Sequence, residues 1–359
     1  MENETPSADA VAATQQQIRT QNKGQRPVKT MGNVCLNALA ADNGPQPSDD
    51  MDGSKHSKDG RAQDKYLPAS PLTPQMPIEG MGLEAAINHL NKLDRQRRMK
   101  VGKEIYLNKQ SHARRDGDAC PDPFFSAVAD DAAFWRLPTV EAFIALLDNY
   151  TRSVGRADKV NAEARHEQTT FLAALAATPH LEFALKYIKA HAKDERAKRV
   201  ATMPELMKLL KDIWFTPYRR WRPNDSSGFE HVFVGEESRG KIIGLHNWIQ
   251  VYLEEKKGNI DYLGWTGRQD KHDDGVTLVT IKFAWADDKP GEVTIKPVST
   301  ILVGATPEFE IAALSLAFLC GEQEGDNRME LGRERIKIVC YPHDGKGGPK
   351  VASAYIELA

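Results

Sequence analysis

The sequence has no excess of charge of either sign, because 48 lysines and arginines stand against 50 aspartates and glutamates, for a formal net charge of -2. No field of the whole chain therefore attracts a polyanion, and any contact with nucleic acid must come from a local basic surface. Cysteines are few, and the four present (Cys35, Cys120, Cys320 and Cys340) lack the close spacing of a zinc site. This usage is typical of a reduced intracellular protein.

Long apolar runs are also missing. No stretch reaches the roughly 20 apolar residues that a membrane span needs. The N-terminal region, which starts with Met1-Glu2-Asn3-Glu4, contains no apolar core of a signal peptide. We therefore expect a protein without a membrane partner that remains in the cytoplasm or the nucleus.

Residues 1–80 lack the apolar side chains from which a core is built. The segment is rich in Gln, Asn, Asp, Ser, Gly and Pro, and its only aromatic residue is Tyr66. Such a composition cannot bury enough apolar area to offset the entropy lost on ordering. We predict a disordered, low-complexity tail over residues 1–80.

Beyond residue 82 the apolar residues recur with the period of a helix. From Pro138 to Leu147 they fall at i, i+3, i+4 and i+7, which indicates one buried helix face. Similar groups predict further helices around Phe171, Leu172 and Leu175, around Leu181, Leu185 and Ile188, and around Leu206, Leu209, Leu210, Ile213 and Trp214. We predict that these helices pack into a helical lobe over residues 81–222.

The second half of the chain shows the period of strands. Val279, Ile281, Phe283 and Trp285 alternate with other residues, and Ile336 and Ile338 flank Lys337. Two helical segments interrupt this pattern, at residues 248–254 and 307–318. A helical half followed by a strand-rich half predicts an α+β fold, with a mostly antiparallel sheet over residues 223–359.

Two histidines stand out because of their surroundings. His231 lies in a predicted strand, and His246 comes fifteen residues later at the start of a predicted helix. An imidazole titrates near neutral pH, so one histidine can accept a proton while a second donates one. Cleavage of RNA needs such a pair, together with a cation such as Lys296 beside the phosphate. A packed or surface position is the commoner role of a histidine, and it is the role we assign to the other eight (His56, His89, His112, His166, His180, His191, His272 and His343).

The segments around these histidines resemble a known family. Residues 227–236, read as Ser-Gly-Phe-Glu-His-Val-Phe-Val-Gly-Glu, and residues 244–249, read as Gly-Leu-His-Asn-Trp-Ile, are similar to the signature of the XendoU-type EndoU endoribonucleases. These enzymes are distant relatives of the coronavirus uridylate-specific endoribonuclease. The resemblance continues through residues 296–300, 304, 306–310 and 352–355. It covers the chain from about residue 83 onward and implies an EndoU-like fold.

The resemblance assigns roles to individual residues. It implies that His231, His246 and Lys296 are catalytic. The family's serine near the uracil edge falls on Thr300, which keeps the hydroxyl and adds a methyl group, and the family's tyrosine that packs on sugar and base falls on Tyr355. Lys289 is the rival for the catalytic lysine, but only Lys296 leads into the rest of the pattern, so we place Lys289 on a surface turn. Because a helix N-terminus favours the neutral imidazole, we predict that His246 is the general base and His231 the general acid.

Glu230 and Glu236 are acidic residues beside a site for phosphate, and their role is open. They either orient His231, bind a divalent cation such as Mn²⁺, or bond to the backbone of a tight loop. No organic cofactor is expected. A second open point is the segment of residues 218–222, whose mixture of cations and aromatic rings is also typical of a contact with single-stranded RNA. We predict instead that Tyr218 and Trp221 pack between the lobes and that only the arginines face solvent.

The predicted function is cleavage of single-stranded RNA at uridines by a monomeric endoribonuclease. The attacking group is the 2′-hydroxyl of the RNA, and the product carries a 2′,3′-cyclic phosphate. An unpaired strand is needed so that the base can turn outward and the ribose can reach the in-line geometry. Two alternatives stay open at this point: a catalytically silent RNA-binding module on the same fold, and a toxin or interaction protein.

Overall fold

The computed structural model describes residues 77–115, 117–158, 161–267, 277–286, 291–332 and 334–359. The predicted tail of residues 1–80 therefore lies outside the described residues except for its last four. Of these, Ile78–Gly80 form a 3-10 turn. The His191 Nε2 atom lies 2.5 Å from the Ile78 carbonyl oxygen and ties this turn to a helix. Lys289, the rival for the catalytic lysine, also lies outside the described residues.

The described residues form an α+β structure, as predicted. The α-helices are α1 (Leu83–Asp94), α2 (Pro138–Leu146), α3 (Ala162–Ala176), α4 (Pro179–His191), α5 (Met203–Phe215), α6 (Trp248–Lys256) and α7 (Pro307–Cys320). The strands are β1 (Ile105–Leu107), β2 (Phe125–Val128), β3 (Glu236–Ser238), β4 (Lys241–Ile243), β5 (Ile260–Trp265), β6 (Thr277–Ala286), β7 (Val293–Val303), β8 (Gly325–Leu331), β9 (Glu334–His343) and β10 (Lys350–Leu358).

The predicted helices of the first half are confirmed, and their starts follow from the sequence. Proline occupies the first turn of α2, α4 and α5, where its missing N–H costs no hydrogen bond. A capping box between Thr202 and Glu205 begins α5. The apolar face of α5 is fully covered, because Leu206, Ile213 and Trp214 are buried.

The sheets are small and antiparallel within the described residues. One sheet has the order β5-β6-β7 and a second has the order β10-β9-β8, while β1-β2 and β3-β4 form two-stranded ribbons. The edge strands β7 and β10 contact each other, so the two larger sheets meet along them. Thr300 of β7 and Tyr355 of β10 line one small cavity where these strands meet.

Helix α7 connects the two halves of the fold. All of its residues are buried. It packs against α1 and α4 on one side and against β9 and β10 on the other. A single apolar core therefore runs through both halves. No helix in the described part of the chain is both long and apolar enough to cross a membrane.

The strand predicted at His231 is wrong, because Glu230–Val234 form a π-helical turn. The alternation of polar and apolar residues misleads here, since every residue from 225 to 236 is buried whatever its polarity. Phe229 and Phe233 have helical spacing, and both pack on the ring of Phe143. The turn ends at Gly235, whose φ of 92° lies in the left-handed region that favours glycine.

Candidate active site

His231 is held by a carboxylate at one ring nitrogen. Its Nδ1 lies 2.5 Å from the Oε2 atom of Glu236, which is fully buried. The Arg220 guanidinium is 3.3 Å from the same oxygen. Burial lowers the pKa of His231, and the hydrogen bond and charge of Glu236 oppose this shift. The position and orientation of His231 thus depend on Glu236.

Glu230, next to His231 in sequence, points into a different environment. Its Oε2 atom accepts a hydrogen bond from the Ser227 backbone N–H at 3.2 Å. Its carboxyl group also shares a hydrogen bond with Asp158. Burial, together with the charges of Glu236 and Asp158, raises the pKa of Glu230 far above its ordinary value. Glu230 is therefore protonated at neutral pH and supports the loop that precedes His231.

Backbone hydrogen bonds bring the two histidines together. The Leu245 N–H donates to the His231 carbonyl at 2.9 Å, and the His246 N–H donates to the Val232 carbonyl at 2.7 Å. Gly244 precedes this contact with a φ of 67°. A Cβ atom at Gly244 would lie 1.7 Å from the His231 carbonyl oxygen. Only glycine allows the two segments to approach this closely.

We expect Gly244→Ala to destabilise the fold and to displace His231. The left-handed backbone and the overlap with the His231 carbonyl together cost ~2 to 5 kcal/mol. Urea unfolding measures the loss of stability, and cleavage of RNA measures the displacement.

Gly258→Ala is the matched control, because Gly258 has a φ of 78° and no heavy atom within 4 Å of an added Cβ. Its free energy of unfolding should fall by ~1 to 2 kcal/mol, because only the left-handed backbone conformation disfavours alanine there. It should keep the parental activity. Equal destabilisation of the two variants would show that the contact between residue 244 and the His231 carbonyl oxygen has no effect on stability.

His246 is positioned by a main-chain carbonyl and an aromatic ring. Its Nδ1 lies 3.2 Å from the Thr300 carbonyl oxygen. Its ring stacks on Tyr355 with centroids 4.5 Å apart and an interplanar angle of 12°. Burial lowers the pKa of His246 well below its usual range, and the positive charges of Lys296 and His231 lower it further.

The helix next to His246 begins at Trp248, as predicted, so His246 lies just before its first turn. Asn247 is the N-cap of α6, and its side chain accepts a hydrogen bond from the Gln250 N–H. The Asn247 amide donates to the Glu310 carboxyl group of α7 at 2.7 Å. Burial raises the pKa of Glu310 well above its ordinary value. Burial and neighbouring charges, rather than a place within the helix, thus account for the lowered pKa of His246.

The ammonium group of Lys296 supplies the positive charge of the site. It lies on β7, opposite Phe283 of β6, and only 8% of it is exposed. Burial lowers its pKa to about 8. The charge of Lys296 lowers the pKa of both His231 and His246.

Thr300 and Tyr355 line the same site as His246. Together with Val232 and other apolar residues they surround a small cavity of about 10 Å³. The Thr300 hydroxyl lies 3.1 Å from the Thr280 hydroxyl of β6. Burial raises the pKa of Tyr355 to about 12, so its phenol is neutral. The structure therefore brings His231, His246, Lys296, Thr300 and Tyr355 into one site.

The family model described as Endoribonuclease XendoU matches residues 82–356. The chain belongs to the XendoU endoribonuclease family.

Two relatives and one solved structure show how far this kinship extends. The poly(U)-specific endoribonuclease of Xenopus tropicalis is 37% identical over 262 residues, or 68% of this chain and 82% of the relative. The poly(U)-specific endoribonuclease-A of Xenopus laevis is 35% identical over 274 residues, or 72% of this chain and 88% of the relative. The solved structure of XendoU, described as a splicing-independent snoRNA processing endoribonuclease, superposes with a TM-score of 0.63 at 34% identity. The matched region spans 77% of this chain and 97% of the solved XendoU chain.

The XendoU-family site includes residues that the sequence did not single out. Arg220 pairs with Glu236, Asp158 shares a hydrogen bond with Glu230, and Thr280 pairs with Thr300. Asp158 and Thr280 come from distant segments that no local pattern marks. The predicted exposure of the arginines in residues 218–222 is confirmed for Arg219 and Arg222 but is wrong for Arg220, which pairs with the buried Glu236. Glu310 lies within the family string of residues 306–310 but has no assigned role there.

The two carboxylates of this XendoU-family site do not fit a metal ion well. Glu236 contacts His231 through Oε2, and Glu230 accepts a hydrogen bond from the Ser227 N–H, while the buried Oε1 atom of Glu236 has no hydrogen-bond partner. Less than 2% of either residue is exposed. Among the described residues, no group of three or more His, Cys, Asp or Glu side chains is arranged to hold a metal ion. The contacts support the first of the open roles, in which Glu236 orients His231. The manganese ion stays a prediction.

Proposed function

We propose that this chain cleaves single-stranded RNA at uridines through attack by the 2′-hydroxyl, leaving a 2′,3′-cyclic phosphate. The observation that carries the proposal is the contrast between the two neighbouring histidines. His246 bonds to a neutral carbonyl oxygen, whereas His231 bonds to a carboxylate. The first environment favours an imidazole that accepts a proton, and the second favours one that donates a proton.

His246 acts as the general base in this proposal. A carbonyl oxygen only accepts hydrogen bonds, so the Nδ1 atom of neutral His246 carries the proton that it donates to Thr300. Its Nε2 atom then has a free lone pair. The lowered pKa of His246 keeps this atom unprotonated at neutral pH. Nε2 takes the proton of the 2′-hydroxyl as its oxygen attacks the phosphorus.

His231 acts as the general acid. Its Nδ1–H donates to the Glu236 carboxylate, and that negative charge stabilises the protonated ring. The phosphodiester of a bound RNA adds a further negative charge, which raises the pKa of His231 from its lowered value in the free protein. The Nε2–H of the protonated ring then delivers its proton to the departing 5′-oxygen.

Lys296 stabilises the charge that develops between these two steps. The phosphorus passes through a five-coordinate state with extra negative charge on its non-bridging oxygens. A buried ammonium attracts that charge more strongly than an exposed one does. With a pKa of about 8, Lys296 is still mostly protonated at neutral pH.

Uridine recognition is proposed for Thr300 and Tyr355. Tyr355 presents an aromatic ring beside His246, which suits packing against the sugar and base. The Thr300 and Thr280 hydroxyls form a pair that can donate to one partner and accept from another. The relatives of this chain are named for their action on poly(U) and uridylate, which supports the choice of base.

We expect Thr300→Ala to lower the rate at uridine and to reduce the preference for uridine over cytidine. The free-energy difference that corresponds to the uridine preference should fall by no more than ~1 to 3 kcal/mol, the cost of one unpaired buried polar group. The ratio of kcat/KM for matched uridine and cytidine oligonucleotides measures it. Thr300→Ser is the control, since it keeps the hydroxyl and should keep the ratio. An unchanged ratio in Thr300→Ala would remove this residue from base selection.

The proposed function is tested with an oligonucleotide that contains a single uridine. The purified chain should cut it on the 3′ side of the uridine, and mass spectrometry should find a 2′,3′-cyclic phosphate on the released fragment. Binding without cleavage would indicate a silent RNA-binding module. An interaction protein would neither bind nor cut the oligonucleotide.

A further inference from the structure

One exposed tryptophan lies beside the site and is not explained by the proposed chemistry. All six tryptophans lie within the described residues, and Trp221 is the most exposed of them at 44%. The packing of Trp221 between the lobes, predicted from the sequence, is therefore wrong, whereas Tyr218 is buried as predicted. With 44% of its surface exposed, Trp221 is accessible to a ligand.

One cation contacts this ring, and others lie close to it in sequence or on the same hairpin as that cation. The Arg239 guanidinium stacks on Trp221, with its Cζ atom 3.9 Å from the ring centroid. Arg219, Arg222 and Lys241 are also exposed. We call these five residues the Trp221 surface. An aromatic face among several cations is the combination that binds single-stranded nucleic acid, because bases stack on the ring while phosphates pair with the cations.

Hydrogen bonds fix the backbone around Trp221. The Asp225 carboxylate accepts hydrogen bonds from the backbone N–H groups of residues 220, 221 and 222, at 2.8, 3.0 and 2.8 Å. Arg239 lies in the tight turn between β3 and β4, where its φ is 54°. A platform fixed in this way binds a flexible strand with a smaller loss of entropy than a mobile loop would.

Both halves of the Trp221 surface connect to His231. Arg220, the residue before Trp221, contacts Glu236, and Glu236 holds the His231 ring. Arg239 and Lys241 belong to the hairpin that begins at Glu236 and leads to Gly244. The surface therefore adjoins the His231 side of the site, whereas Tyr355 lies on the His246 side.

We propose that the Trp221 surface is a subsite for the RNA segment on the 3′ side of the cut. The inference rests on the proposed function, in which His231 protonates the leaving 5′-oxygen. That oxygen belongs to the 3′ segment, so this segment leaves past His231 and reaches Trp221. One base stacks on Trp221, and Arg222, Arg239 and Lys241 pair with the phosphates.

Chimeric oligonucleotides with one ribouridine test the subsite. The basal substrate has one deoxyadenosine on each side of the uridine, and two others add a deoxyadenosine tract on the 3′ side or on the 5′ side. The parental protein should cut the 3′-extended substrate most efficiently. Trp221→Ala should lower kcat/KM about tenfold for that substrate, or ~1.4 kcal/mol, which is within the range for one stacked base. The basal and 5′-extended substrates should be cut at the parental rate.

Two further variants separate stacking from a general effect on the fold. Trp221→Phe should restore most of the benefit of the 3′ extension, because it keeps an aromatic face. Tyr106→Ala is the matched control, since Tyr106 is 50% exposed and lies on β1. It should leave all three substrates unaffected. Arg239→Ala should weaken the dependence of KM on salt for the 3′-extended substrate alone.

The result that overturns the subsite is distinct from failure of the proposed function. A Trp221→Ala variant that loses activity equally on all three substrates, or only on the 5′-extended one, or on none, contradicts the proposal. If the parental protein cuts no substrate, the proposed function fails, and the subsite is then tested by measuring binding. A labelled, uncleavable 3′-extended oligonucleotide with 2′-deoxyuridine should bind the parental chain more tightly than Trp221→Ala, and equal Kd values would reject the subsite.

Discussion

His231→Ala and His246→Ala should each lower kcat by ~10²- to 10⁴-fold, the usual contribution of one general acid or base. Both rings approach within hydrogen-bonding distance of polar partners at Nδ1, and removing either ring deletes one proton transfer. Gel analysis of a uridine oligonucleotide at saturating concentration measures kcat. Circular dichroism and urea unfolding verify that the variants keep the fold.

His166→Ala is the matched control, because His166 is an exposed residue of α3. It should cut RNA at the parental rate. A His231→Ala or His246→Ala variant that is folded and retains the parental kcat would contradict the assignment of that histidine.

A substrate with a better leaving group distinguishes the acid from the base. Uridine 3′-(4-nitrophenyl phosphate) releases nitrophenolate, which needs no proton. His231→Ala should therefore cut this substrate nearly as fast as the parental protein, while His246→Ala stays slow. Fast cleavage by His246→Ala and slow cleavage by His231→Ala would instead make His246 the general acid and His231 the general base.

A substrate with 2′-deoxyuridine at the cut should bind but should not be cleaved at all. The attacking oxygen is missing, and no group of the described site is positioned to replace it. The binding contacts proposed for Lys296, Thr300 and Tyr355 involve phosphate, base and sugar face, so the Kd should stay close to that of the ribose substrate. Fluorescence anisotropy measures binding, and gel analysis measures cleavage over a long incubation.

The control for this experiment moves the deoxy sugar to the nucleotide after the cut. That substrate keeps the attacking hydroxyl and should be cleaved at the parental rate. Cleavage of the 2′-deoxyuridine substrate to a linear phosphate would instead indicate an activated water molecule as the nucleophile. The chemistry would then move from the histidines to the carboxylates.

The periodic parts of the fold were predictable from the sequence because burial there follows a regular face. In α5 the apolar residues fall on one side, and in β6 the alternation of Val279, Ile281 and Phe283 marks a strand. The segment of residues 225–236 defeats this reasoning because it is buried on all sides. Some of its polar residues bond to one another, as His231 does to Glu236.

The candidate site was predictable only in part. His231, His246 and Lys296 lie in strings that resemble a family, so they could be named without a structure. Arg220 and Asp158 carry no such mark, and only tertiary contacts reveal that they support Glu236 and Glu230. The exposure of Trp221 could not be read from its neighbours either, because Tyr218 in the same short segment is buried.

The backbone contact between residues 231–232 and 245–246 also bears on the order of folding. The two histidines are close in sequence and are joined through the short β3-β4 hairpin, so closing this loop costs little entropy. Lys296 and Tyr355 must come from much later strands, and contacts of such high contact order form slowly. We therefore expect the histidine pair to assemble ahead of the sheet that supplies its cation, so that a refolding chain gains its local structure before it gains activity.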